Sequence, residues 1–148
     1  MTIDSLPFEI AETAHAIRRA FDRRAAHLGV TRAQWRVLAW LARDPGLRQV
    51  ELADHLDVEP ITLCRIIDRL QDGDLVERRR DPEDRRAWRL HLTDKAGPLV
   101  DELRALAGVM AGEAFAGLAP ETIDTVRAAL ARVRDNLSTP ESPKRMSA

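Results

Sequence analysis

The chain has 148 residues, 45% of them hydrophobic, and its 23 Lys and Arg stand against 24 Asp and Glu for a net charge of −1. That length suits one compact domain, or one core with a helical extension, and the balanced charge excludes any nucleic-acid or membrane partner argued from bulk charge alone. The single cysteine, Cys64, excludes an internal disulfide and a cysteine-rich zinc site.

The N-terminal MTIDSLPFEI has no basic segment followed by a long apolar run, so no signal peptide is expected. No apolar stretch approaches the length of a membrane span, and a cytoplasmic protein without a membrane partner is expected. Ile10, Ala14, Ile17 and Phe21 recur at helical spacing and predict a first helix, with Gly29 closing it. Thr31 is a good N-cap for a second helix carrying Trp35, Leu38 and Leu41, and Asp44-Pro45-Gly46 is the turn that stops it. A short helix follows with Val50, Leu52, Ala53 and Leu56. Another begins near Pro60 and carries Leu63, Ile66, Ile67 and Leu70, closed by Gly73 and Asp74.

From Leu75 the period changes. Trp88, Leu90 and Leu92 alternate with Ala87, Arg89 and His91, as in a half-buried strand, and Leu75–Arg79 is its expected partner. The hairpin tip is then Asp81-Pro82-Glu83-Asp84. Thr93 can cap the next helix, and Pro98 predicts a late or bent start before Leu99, Leu103, Leu106 and Met110. Pro120 suits the first position of a last helix. Its Ile123, Val126, Leu130, Val133 and Leu137 form a heptad-like seam of the kind a partner helix covers. Residues 139–148 have few apolar groups and are expected to be disordered.

Short helix, turn, second helix and hairpin follow the order of a winged helix-turn-helix. The expected class is mainly α with a small β-hairpin. On the second helix of the pair, Leu63, Ile66, Ile67 and Leu70 point one way. Ile61 and Arg65 point nearly opposite, flanked by Thr62 and Arg69. Arg65 on such an edge can hydrogen-bond guanine in a major groove, and Ile61 or the Thr62 methyl can meet a thymine methyl. The hairpin packs Arg78, Arg79, Arg80, Arg85, Arg86 and Arg89 together. Like charges this dense repel, and double-stranded DNA phosphates are the expected relief. Asp84 is expected to pair with the Arg86 guanidinium and hold its pose. A winged helix can instead serve protein contacts, but those modules carry no such basic cluster. No glycine-rich phosphate loop, nucleophile beside a base, or metal set is present, so the chain does not read as an enzyme and no cofactor is expected.

The stretches QVELADHLDV, ITLCRIIDRL and LVERRRDPEDRRAWRLHLTDKAG resemble the MarR family of bacterial transcriptional regulators, and LTDKAGPL resembles its SlyA-like branch. The resemblance spans about residues 10–138. It implies a homodimer whose N- and C-terminal helices, residues 1–30 and 98–138, interleave, with a winged DNA-binding lobe at 31–97. It implies a pseudo-palindromic operator and, as the usual role, repression. The recognition positions map onto Ile61, Thr62 and Arg65, and the wing arginine onto Arg86, with Arg85 beside it and Asp84 orienting it. A small aromatic carboxylate or phenol is the implied effector, meeting Arg18 and Trp35. Three departures stand out: Asp74 replaces a usual glycine, Ala39 replaces a branch histidine, and Pro60 precedes Ile61 where the branch has proline nearer position 61. Cys64 reads as a small apolar residue, Trp40 and Trp88 as core, and His15, His27, His55 and His91 as lacking metal spacing. His27, near the pocket side, could tune a pH response.

Overall fold

Six helices and one hairpin follow one another in this computed structural model, which describes residues 2–138. The tail expected to be disordered, 139–148, lies outside the described residues. The helices are α1 (Leu6–Ala25), α2 (Arg32–Arg43), α3 (Gln49–Leu56), α4 (Pro60–Asp72), α5 (Gly97–Ala114) and α6 (Pro120–Ser138). The strands β1 (Val76–Arg80) and β2 (Trp88–Leu92) lie between α4 and α5. No helix among the described residues is long and apolar enough to cross a membrane. The chain forms two compact units, divided between Ala111 and Gly112.

Local chemistry sets most boundaries in the first unit. Gly29 takes the left-handed conformation (φ 77°) that ends the turn after α1. The Thr31 hydroxyl accepts the Gln34 N–H at 3.2 Å, while Gln34 Oε1 accepts the Thr31 N–H at 3.1 Å, a reciprocal cap on α2. Pro60 opens α4, where its missing donor is not needed. A 3₁₀ turn over Asp94–Ala96 precedes α5, whose second residue is Pro98, so the helix starts late as expected. Thr93 makes no side-chain cap there. Its hydroxyl donates to the Asp74 carbonyl and ties the strand end to the α4 exit.

Leu38 and Leu41 of α2, Leu52 and Leu56 of α3, and Leu63, Ile67 and Leu70 of α4 meet in one core, which Leu90, Val100 and Leu103 close. Val50 does not join it and is 68% exposed. It lies about 200° around the helix from Leu52, on the opposite face. In the hairpin the register pairs Val76 with Leu92, Arg78 with Leu90 and Arg80 with Trp88, starting one residue later than expected. Leu90 is fully buried, but Trp88, two residues nearer the tip, is 39% exposed rather than in the core. The hairpin has passed the edge of the core at that point. In the second unit no residue of α6 is buried, and Val126, Leu130, Val133 and Leu137 leave its seam open.

Asp74 holds φ 58°, while Gly73 before it has an ordinary φ of −80°. The aspartate occupies the left-handed position itself, which costs a residue with a Cβ roughly 1–2 kcal/mol, less for Asp or Asn. Asp74→Gly should raise stability by about 0.5 kcal/mol, after the added entropy of the unfolded chain is set against the relieved strain. Asp74→Val should lower it by more than about 1 kcal/mol. Urea unfolding of the three proteins checks the order.

Candidate nucleic-acid interface and adjoining cavity

α4 presents its outer face to solvent because Leu63, Ile67 and Leu70 consume the inner one. Ile61 is 66% exposed, and Thr62, Arg65 and Arg69 are exposed beside it. Among the described residues the Arg65 and Arg69 side chains make no ion pair. This is the edge expected from the helical spacing.

The six arginines of the hairpin divide into two groups. Arg78 is anchored on α4: it donates to Asp68 Oδ1 at 2.7 Å, Gln71 Oε1 at 2.5 Å and the Cys64 carbonyl at 3.4 Å. Arg79 pairs with Glu77. Arg89 donates to Asp81 Oδ2 at 3.1 Å and to the Gly46 carbonyl at 3.0 Å. Arg80 lies over the Trp88 ring and donates to the Arg85 carbonyl at 2.9 Å. Arg85 and Arg86 are exposed at the tip and make no ion pair among the described residues. The expected mutual repulsion therefore does not apply to the whole cluster, because Asp68, Glu77 and Asp81 of the same chain already pair with half of it.

Asp81 is the buried acid among these three. It is 2% exposed, and its Oδ2 accepts Arg48 Nε at 2.9 Å as well as Arg89. Its Oδ1 accepts the Glu83 N–H at 2.9 Å. That backbone hydrogen bond pulls its pKa below the usual carboxylate value; burial opposes the shift, and the charges of Arg48 and Arg89 reinforce it. Arg48 also bridges to Arg89 through the backbone, and Leu90 N–H donates to the Leu47 carbonyl at 2.9 Å. Residues 46–48 thus lie beside β2 through an isolated bridge at Arg48, and Asp81 joins them to the wing.

Asp84 does not pair with the Arg86 guanidinium. Its Oδ1 accepts the Arg86 backbone N–H at 2.9 Å, an Asx turn that shapes the tip and leaves the guanidinium unpaired. An aspartate two residues back reaches the main chain more easily than the end of a long side chain.

A cavity of about 330 Å³ lies among α1, α2 and α5 as far as Met110. Arg18 and Trp35 both line it, as does Ala39, together with Phe21, Arg43 and Arg104. No acid is among its lining residues. The Trp35 indole N–H donates to Asp22 Oδ1 at 2.8 Å, and Arg32 Nε donates to Oδ2 at 2.6 Å. Burial opposes ionisation of Asp22, but the hydrogen bonds from Arg32 and Trp35 outweigh it and lower its pKa. Phe21 packs at 4.4 Å from the Trp35 ring, so the indole is fixed in the cavity wall. Trp40 instead packs on the core and stacks on His55 at 4.3 Å. Cys64 is half-buried, with Arg78 Nη2 3.7 Å from its sulfur.

Residues 28–87 match the MarR family. The transcriptional regulator PA3341 is 36% identical over 89% of this chain and 97% of its own, with a TM-score of 0.82. The chain belongs to the MarR family of transcriptional regulators. A MarR-family regulator from Silicibacter pomeroyi is 26% identical, covering 93% of this chain and 92% of that one, with a TM-score of 0.80. Wild-type MarR from E. coli, in its apo form, is 25% identical, covering 90% of this chain and 96% of that one, with a TM-score of 0.72.

Reading the sequence of this MarR-family chain did not single out Asp81, Arg48, Asp22, Arg43 or Arg104. Asp81 looked like one of three tip acids, and nothing local separates it from Asp84. Arg48 lies 33 positions before the residue it pairs with.

The lowered pKa of Asp81 fixes a pH window. Above the usual aspartate value of about 4 the ionised group contributes its full stabilisation, which is lost as pH falls through its lower folded value. Asp81→Asn should therefore melt several degrees below wild type at pH 7, and the gap should narrow below about pH 4. Paired melting curves from pH 3 to 7 check this.

Proposed function

We propose that this chain is a homodimeric, sequence-specific DNA-binding regulator, closest to the SlyA-like branch, that represses at pseudo-palindromic operators and is released by a small aromatic acid or phenol. One observation carries the reading. Arg65 and Arg69 on α4 and Arg85 and Arg86 at the wing tip have no ion-pair partner among the described residues, while Arg78, Arg79 and Arg89 of the same cluster are paired with acids. Guanidinium groups left exposed on a recognition helix and a wing are suited to phosphates and to guanine edges.

Other features support the parts of this reading. The apolar side chains exposed on α1 (Phe8 and Ile10) and, separately, on the α6 seam are surfaces that a second copy would cover. Two lobes held about 34–36 Å apart would fit successive major grooves. The cavity is the size of small-ligand pockets, and its three arginines with no acid favour an anion with an apolar body. A ligand seated between α1, α2 and α5 would press on α2 and α5, which also supply Leu38, Leu41, Val100 and Leu103 to the core of the DNA lobe. A change in lobe spacing would weaken both half-sites together.

Duplex selected from a random library, followed by anisotropy across salt concentrations, tests the proposal; failure to enrich any sequence would refute it. Arg65→Ala should cost about 1–3 kcal/mol and relax the preference at one position of each half-site. Arg86→Ala should weaken binding to all sequences and reduce the salt slope by about 1 per lobe. A drop in affinity without a change of slope would contradict the wing role.

Salicylate serves as the effector probe. It should release wild type from the selected duplex, and Arg18→Gln should lose most of that response while binding DNA as tightly. Equal release of both proteins would remove Arg18 from the ligand site.

A further inference from the structure

We propose that the Arg80–Trp88 stack is a brace for the wing tip, making Trp88 a positioning residue for Arg85 and Arg86. The inference rests on the DNA-binding reading above, and its observations are separate from those that carry that reading.

Trp88 is a large apolar side chain standing 39% exposed on a protruding hairpin, where it contributes little to the core. One ring face is nevertheless occupied: the Arg80 Cζ lies 4.8 Å from the ring centroid, within the range of a cation–π contact. Arg80 and Trp88 are the last register pair of the hairpin, directly below the tip at residues 81–87. Arg80 has no carboxylate partner among its described contacts. Its Nη1 instead donates to the Arg85 carbonyl at 2.9 Å. The indole therefore fixes the guanidinium, and the guanidinium fixes the main chain of the first tip arginine.

The rest of the tip is held from the other side. The Asp81 carboxylate accepts the Glu83 N–H, the Asp84 carboxylate accepts the Arg86 N–H, and the Ala87 N–H donates to the Asp84 carbonyl. Without Arg80 in place, the Arg85 carbonyl would lose its strand-borne support. A guanidinium can stack its plane on the ring and still donate at its edge; an ammonium cannot do both in a fixed pose. Main chain ordered in advance loses less entropy when the tip arginines meet phosphates.

This predicts an effect that neither a stability role nor direct indole contact would produce. On the selected duplex, Trp88→Ala should bind roughly tenfold more weakly, with a salt slope shallower by about 1–2, although no charge has been removed. Trp88→Phe, which keeps a ring face, should recover most of both. Trp88→Ala should add little to a protein already lacking the Arg85 and Arg86 side chains. Arg80→Lys, which keeps both the charge and the indole, should also flatten the slope, and it gives the same readout should Trp88→Ala fold poorly. Weaker binding by Trp88→Ala with an unchanged slope would mean that the indole touches DNA itself, and wild-type binding would mean that it does nothing there; both overturn the brace. Absence of sequence-preferring binding by the wild type would overturn the DNA reading and the brace with it.

Discussion

One buried carboxylate organises the hairpin side of the helix-turn-helix in this protein. Asp81 lies at the start of the wing tip with almost no exposure, and a single oxygen receives both Arg48 and Arg89. A carboxylate taken out of water is costly unless it is paired and hydrogen-bonded. Here two guanidinium groups and the Glu83 N–H satisfy it. The consequence extends past charge balance. Arg48 belongs to the segment entering α3, and Arg89 belongs to β2, so the acid binds the wing to the helix-turn-helix.

The same arrangement sorts the arginines. Arg78 is used to join the hairpin to α4, through Asp68, Gln71 and the Cys64 carbonyl. Arg89 is used to join it to residues 46–48. With the hairpin tied both to α4 and to residues 46–48, the arginines left over are those at the tip and on the outer edge of α4. A flexible wing would lose ordering entropy each time it bound; a wing fixed by internal ion pairs loses less. Charge density alone would not reveal this division: Arg78, Arg79 and Arg89 on the strands are paired with acids, whereas Arg85 and Arg86 at the tip are not. The cavity connects to this surface through shared elements: Val100 and Leu103 line it and are also buried in the core behind α4.

Much of the architecture was legible in the sequence. Helical spacing placed the inner face of α4, and Thr31, Gly29 and Pro60 marked helix ends through chemistry confined to a few residues. The change of period after Leu75 revealed the hairpin. Arg18 and Trp35, the effector contacts that the family resemblance implied, both line one cavity, which by itself assigns no ligand. What the sequence hid were long-range pairings and the limits of burial. The Asp81–Arg48 contact joins residues that no local pattern relates. Trp88 shares its strand face with the buried Leu90, and alternation cannot tell where along a strand the core stops. Asp84 was given the right partner but the wrong atom, because spacing in sequence does not distinguish a main-chain N–H from the end of a side chain.

Amide hydrogen exchange in Asp81→Asn, compared with wild type at pH 7, tests the central claim most directly. If Asp81 holds wing and helix-turn-helix as one body, the Gly46 and Leu90 amides, which pair residues 46–48 with β2, should lose protection together with the tip, while the amides of α4 keep theirs. Loss confined to Glu83, with Gly46 and Leu90 as protected as in wild type, would show that Asp81 shapes only its own turn and would contradict the account.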